Sequence, residues 1–215
     1  MKSLIQKDLY NIGHNMKAMA LLLLVFALIL IPFSGPQTYV IACTVLCSIM
    51  ITTTFSFDDQ CKWNKYAMVM PISKKDLVGG KFIVLLIFCL VGVVSGFLIG
   101  LAGGVITHKL SFQADGILTL LLTSLAGLAI AEIMGSISIP LVFKFGAEKA
   151  RMLLLVSVLI PVALFYGVFW LIRTLGGTTE DQAVLILLYS SPLIAVLCNL
   201  AMYGISFRIF SKQEL

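Results

Sequence analysis

Long apolar runs with almost no charge decide what this chain can fold into. They are Ala18 to Phe33, Thr38 to Phe57, Phe82 to Ile106, Gly116 to Phe143, Met152 to Ile172 and Ala183 to Phe207, and the one charged residue inside them is Glu132. A bilayer's hydrocarbon core is about 30 Å thick and takes roughly 20 helical residues to cross. The six runs, of 16 to 28 residues, therefore read as six spans. In lipid every backbone N–H and C=O must find its partner within a helix or a closed barrel. Runs of this length without period-two alternation exclude the barrel. The composition agrees, with 60% hydrophobic and 12% charged residues among 215 and a mean hydropathy of +1.07, whereas about a quarter of a soluble domain is charged. The expected fold is all-α and polytopic: residues 1–215 form one membrane domain, with an interfacial helix over 1–17 and a polar loop over 58–81.

Lys and Arg set the orientation, because cytoplasmic loops carry their excess. One side collects Lys2, Lys7, Lys17, Lys62, Lys65, Lys74, Lys75, Lys81, Lys144, Lys149, Arg151, Arg208 and Lys212, and the other keeps only Lys109 and Arg173. That imbalance of thirteen to two predicts that both termini are cytoplasmic. It also accounts for the net charge of +5 without a nucleic-acid partner. Lys17 to Phe33, followed by Ser34 and Gly35, has some look of a signal peptide. The long polar lead containing Asp8 and the lack of an A-x-A site favour a retained span.

Of the cysteines Cys43, Cys47, Cys61, Cys89 and Cys198, all but Cys61 lie inside apolar runs, so no disulfide framework is expected. Cys43 and Cys47 share a helical face, but without a nearby His or acid they read as packing residues rather than a metal pair. His14 and His108 fall on opposite sides of the membrane, which leaves no His-based metal or catalytic site. Gly79-Gly80-Lys81 is no phosphate loop. Lys75 stands where the first Gly belongs, Phe82 where Ser or Thr belongs, and no strand precedes it. No cofactor is expected in this chain.

Several segments are candidates for function. In the lead, Ile5, Leu9, Ile12 and Met16 fall on one helical face and Lys7, Asn11 and His14 opposite, the pattern of a helix lying on the membrane surface; an unstructured start whose lysines only set orientation is the alternative. Asp58 to Lys81 is longer than a turn between antiparallel helices needs. Within it Trp63 and Tyr66 share a face, interleaved with Lys62 and Lys65, suited to the headgroups or to a groove on a soluble partner. Ser73 with Asp76 resembles a capping box and Pro71 precedes it, which starts the third spanning helix at Lys74.

Gly92, Gly96, Gly100 and Gly104 recur every four residues and form a smooth strip, for packing inside one bundle or at a subunit interface. Glu132 lies deep in a span, where an unpaired charge costs at least a few kcal/mol, so it must face protein or water. It reads either as a proton or substrate site or as an acid bonded to a neighbouring helix, with Ser136, Thr123 and Asn199 as candidate partners. Pro140, Pro161 and Pro192 interrupt the last three spans and permit bends.

Trp63-Asn64-Lys65-Tyr66, then Met70-Pro71-Ile72-Ser73-Lys74-Lys75, then Val78-Gly79-Gly80-Lys81, resembles the membrane subunits of the type-2 ATP-binding-cassette export permeases. The likeness lies in an aromatic pair, a hydrophobic-Pro-hydrophobic-Ser-basic turn and a Lys that opens the third span, and the layout of the whole chain extends it. The resemblance implies an exporter permease of a bacterial inner membrane, working as a homo- or heterodimer. Separate ATPase subunits would bind ATP and Mg. The 58–70 segment would be the coupling helix, with Asp59, Lys62, Trp63, Lys65 and Tyr66 meeting the ATPase. Peptides, lipids and drugs are all candidate cargo. The chain departs from the family's plan in the brief outer segment Arg173 to Gln182, where several relatives carry small helices; this weakens the case for an outer lid. The rival readings are a proton-coupled carrier using Glu132, for which the two halves show no inverted repeat, and a non-transporting immunity or assembly factor.

Overall fold

The computed structural model describes residues 2–13, 15–63, 66–67, 73–109, 114–146, 149, 154–176 and 180–212. Every regular element among them is an α-helix: α1 Lys2–Gly13, α2 Met16–Ser34, α3 Pro36–Gln60, α4 Lys74–Ile106, α5 Ala114–Phe145, α6 Leu154–Gly176 and α7 Glu180–Ser211. Five stretches of the described residues are long and apolar enough to cross a membrane: Met16–Ser34, Pro36–Gln60, Lys74–Ile106, Gly116–Phe145 and Leu188–Ser211. A shorter apolar stretch, Leu155–Leu171, lies in α6. This is a multi-pass membrane protein.

The breaks between helices follow local chemistry. Gly35, at φ 93°, separates α2 from α3, and Pro36 opens α3 at a position where a missing N–H costs nothing. Gly146 ends α5 at φ 79°, its N–H reaching Val142 O at 2.8 Å. The cap expected at Ser73 is present, with the Asp76 N–H donating to Ser73 Oγ at 3.1 Å.

α3 is the central helix, flanked by α4 and α5. Its hydroxyls turn back onto its own carbonyls, as in Thr44 to Val40 O (2.7 Å), Ser48 to Val45 O (2.8 Å) and Thr54 to Ile51 O (2.7 Å), so they enter the core already satisfied. The glycine strip of α4 lies against α3. A Cβ on Gly92 would stand 2.8 Å from Cys47 Cβ, and one on Gly96 3.2 Å from Cys43 Cβ. One on Gly100 would stand 3.0 Å from Val40 Cγ2, and Gly104 continues the buried line. Gly135 does the same for α5, since a Cβ there would sit 2.2 Å from Leu85 Cδ1 of α4. α2 packs by the line Leu23, Ala27 and Ile31, and among the described residues α6 packs on α5 and α7.

The structure corrects two sequence expectations. The line of α1 that is buried is Leu4, Asp8 and Ile12; Ile5 and Leu9 only flank it, and Met16 begins α2 with 59% exposure. Lys7, expected to face away, turns inward. The reason lies in α4, where Lys81 is buried and draws acidic groups to itself. The polar loop is also shorter than expected, because α3 continues to Gln60 and takes Asp58 into the helix.

Candidate functional site

Where α1, the last turns of α3 and the first turns of α4 meet, four charged side chains converge. Asp8, Asp58 and Lys81 have side chains only 5%, 3% and 5% exposed, and Lys7 is 22% exposed. Lys81 Nζ donates to Asp58 Oδ2 at 2.6 Å and to Thr54 Oγ1 at 3.2 Å, and it lies 2.8 Å from Asp8 Oδ2. Lys7 Nζ takes the other oxygen of Asp58 at 2.5 Å. It lies 3.2 Å from Asp8 Oδ1 as an ionic contact without hydrogen-bond geometry. Both lysines also stand over aromatic rings, Lys81 4.7 Å from the Phe55 centroid and Lys7 4.3 Å from that of Trp63. Two positive and two negative groups thus balance one another, as buried ions must.

The helix geometry makes this meeting possible. α4 starts at Lys74, so Lys81 lies two turns inside it, past the polar end of the helix. An ammonium held there needs anionic partners. Asp58 supplies one from the end of α3, and Asp8 the other from the face of α1 that carries Leu4 and Ile12.

Beyond Asp58 the chain leaves α3 through Cys61 and Lys62. Lys62 adopts φ 51°, a left-handed conformation uncommon for a residue with a side chain. It takes the place a helix-ending glycine usually fills, and the chain turns back so that Trp63 packs against the core cluster containing Phe55 and Phe143. Tyr66 is 62% exposed, while Ala67 beside it is fully buried. The two aromatic residues therefore differ: Trp63 is held and half-buried, and Tyr66 stands out. Asp59 closes α3 just beyond the buried Asp58. Of the residues expected to meet a partner, Lys65 lies outside the described residues.

The C-terminus of α7 comes to this same end of the bundle. Lys74 Nζ donates to Ser211 O at 3.3 Å, and Lys75 stands 5.9 Å from the Phe207 ring centroid. At the opposite end Lys109 Nζ donates to Pro32 O, and to Phe33 O at 3.3 Å.

Glu132 is elsewhere, between α5 and α7, 5% exposed, with Asn199 Nδ2 donating to its Oε2 at 2.6 Å. Asn199 was among its three candidate partners; Asn199 Oδ1 is buried without a hydrogen-bond partner. Among the described residues no cluster of three or more His, Cys, Asp or Glu could hold a metal ion. The sequence reading missed the roles of Lys7, Asp8 and Asp58. The signal available was Lys81 itself, placed two turns into a helix whose start the Ser73 cap already marked.

A family model described as ABC-2 family transporter protein matches residues 3–211, from α1 to the end of α7. No curated protein and no solved structure matches the chain.

Proposed function

The chain belongs to the ABC-2 family of transporter proteins, and from that premise we propose that it is the permease subunit of an ATP-driven exporter. In this reading six helices span a bacterial inner membrane, α6 completing the set, with both termini and the charge cluster on the cytoplasmic side. Two such subunits, identical or paired with a relative, enclose the path. A separate ATPase pair holds ATP and Mg and does the hydrolysis. Peptide, lipid or drug is the cargo class.

The observation that carries the reading is the family match along nearly the whole chain, with the Trp63 turn lying between α3 and α4 where the family's coupling element belongs. The exposed Tyr66 ring offers the partner a rigid aromatic anchor, and Lys62 offers charge that orients the approach. Trp63 supports the turn from beneath, and Asp59 and Lys65 complete the set of residues assigned to the ATPase contact. The Glu132–Asn199 bond supports a packing role for Glu132 and so weighs against a carrier that uses it for protons.

The test is to express the chain in its native cell with a tag on the permease and to purify through that tag. A stoichiometric ATPase should co-purify and should be lost when Trp63 and Tyr66 are both changed to Ala. Undiminished ATPase recovery with that variant would remove the coupling assignment.

A further inference from the structure

We infer that Lys7, Asp8, Asp58 and Lys81 form a charge-balanced positioning device that ties α1 and α4 to the Trp63 turn. The turn's presented surface is then set by the helices beneath it rather than by the loop alone. Its importance for transport rests on the coupling role proposed above; its existence does not.

The argument starts from connectivity. Trp63 lies under Lys7, and Lys7 is fixed by Asp58, whose second oxygen belongs to Lys81. The path Trp63–Lys7–Asp58–Lys81 therefore crosses from the turn to α1, to α3 and to α4. The order matters because Lys7 is the most exposed member, with its side chain free to move if its anchor weakens. A buried ionic network seldom stabilises a fold more than well-packed apolar side chains of the same volume do, and its best-attested use is to fix one register among several. Here the register fixed is that of a helix whose buried line is short, Leu4, Asp8 and Ile12, against two spanning helices. Without the charges, α1 would have little to choose one seat over another a turn away.

Net charge gives the device a signature that mere packing lacks. Removing Lys81 leaves two carboxylates and one ammonium. Lys7, already within reach of both acids, is then their only cation and is drawn deeper toward them, off the ring of Trp63. Removing Asp8 as well restores a balanced Lys7–Asp58 pair and returns Lys7 to the ring.

The chain in lipid nanodiscs, carrying Trp170→Phe so that Trp63 is its one tryptophan, reads this through acrylamide quenching. Lys7→Ala should raise the quenching constant roughly twofold, because it uncovers one ring face. Lys81→Met should raise it in the same direction, and Lys81→Met with Asp8→Asn should return it to the starting value. A Lys81→Met chain that does not fold while the double variant does would support the same charge balance through stability. The proposal fails if Lys7→Ala leaves quenching unchanged, or if the double variant is no closer to the starting value than Lys81→Met alone. No ATPase enters this measurement. A quenching response together with an ATPase still bound to the Trp63→Ala, Tyr66→Ala chain would therefore keep the device and discard the coupling role.

Discussion

At one end of the bundle four formally charged side chains from three helices meet with no net charge. Midway along α5 a single carboxylate meets a single amide. The first arrangement sits where helix ends approach the headgroups and where lysine stems reach along apolar surface to a common point. The second sits at the depth where charge costs most, and it uses a neutral partner. The two regions also differ in how they are joined. The cluster binds segments 73 residues apart, from Asp8 to Lys81, through partners that each hold two others. The Glu132–Asn199 bond is a single hydrogen bond between two helices, and one acceptor, Asn199 Oδ1, is left over. A network of that kind should fail as a unit when broken, and a lone bond should fail only locally.

The sharpest way to break the comparison is Lys81→Met, which leaves Asp8 and Asp58 buried with only Lys7 to answer both. Stripping one partner from a buried ion group costs about 3–5 kcal/mol. The purified chain should show a correspondingly large fall in unfolding free energy, measured by denaturant titration in mixed micelles. A loss near that of an ordinary surface substitution would mean that water reaches the cluster freely and that it fixes nothing.

The second measurement concerns the other region. Asn199→Leu removes the donor from Glu132 and should cost about 1–3 kcal/mol, the penalty for a buried polar group left without its partner. Glu132→Gln should cost nothing and can gain a little. Its carbonyl still accepts from Asn199 Nδ2, while its new amide N–H has the orphaned Asn199 Oδ1 within the same pairing. If Glu132→Gln proved as damaging as Asn199→Leu in the same titration, the carboxylate would be needed as such, and the proton-site reading of Glu132 would return.

The same contrast explains what the sequence disclosed. Helix positions were legible because spans are dictated by length and hydropathy, and α4 could be started at Lys74 from Ser73 and Asp76 alone. Asn199 could be named as a partner for Glu132 because a buried acid needs a donor and few polar residues share its depth. The charge cluster was not legible, although each member was in plain view. Lys7 and Asp8 are neighbours on a helix whose apolar pattern placed its buried face elsewhere. Only tertiary contact with Lys81 shows that the acid, not the isoleucine pattern, decides which side docks. Asp58 was misread as the start of a loop because charge usually marks the end of a span, and nothing local says that α3 continues beyond it.

The smallest expected effect concerns a third lysine, which shows what a charge does when it is neither buried nor networked. Pro36 has no N–H, so Pro32 O at the end of α2 lacks the donor that an unbroken helix would bring from four residues on. Lys109 fills that position from the far side of α4, donating to Pro32 O and Phe33 O, a cation at a helix C-terminus where the dipole favours it. The lysine is exposed and the carbonyls can also turn to water, so Lys109→Met should cost only about 0.3–1 kcal/mol. The cost should shrink as salt is raised. Thermal unfolding of the two chains at low and high salt checks both points. A loss that approached that of Lys81→Met, or that ignored salt, would mean that the α2–α3 turn depends on Lys109 as the opposite end of the bundle depends on its cluster, and the distinction between networked and solitary charge in this fold would have to be given up.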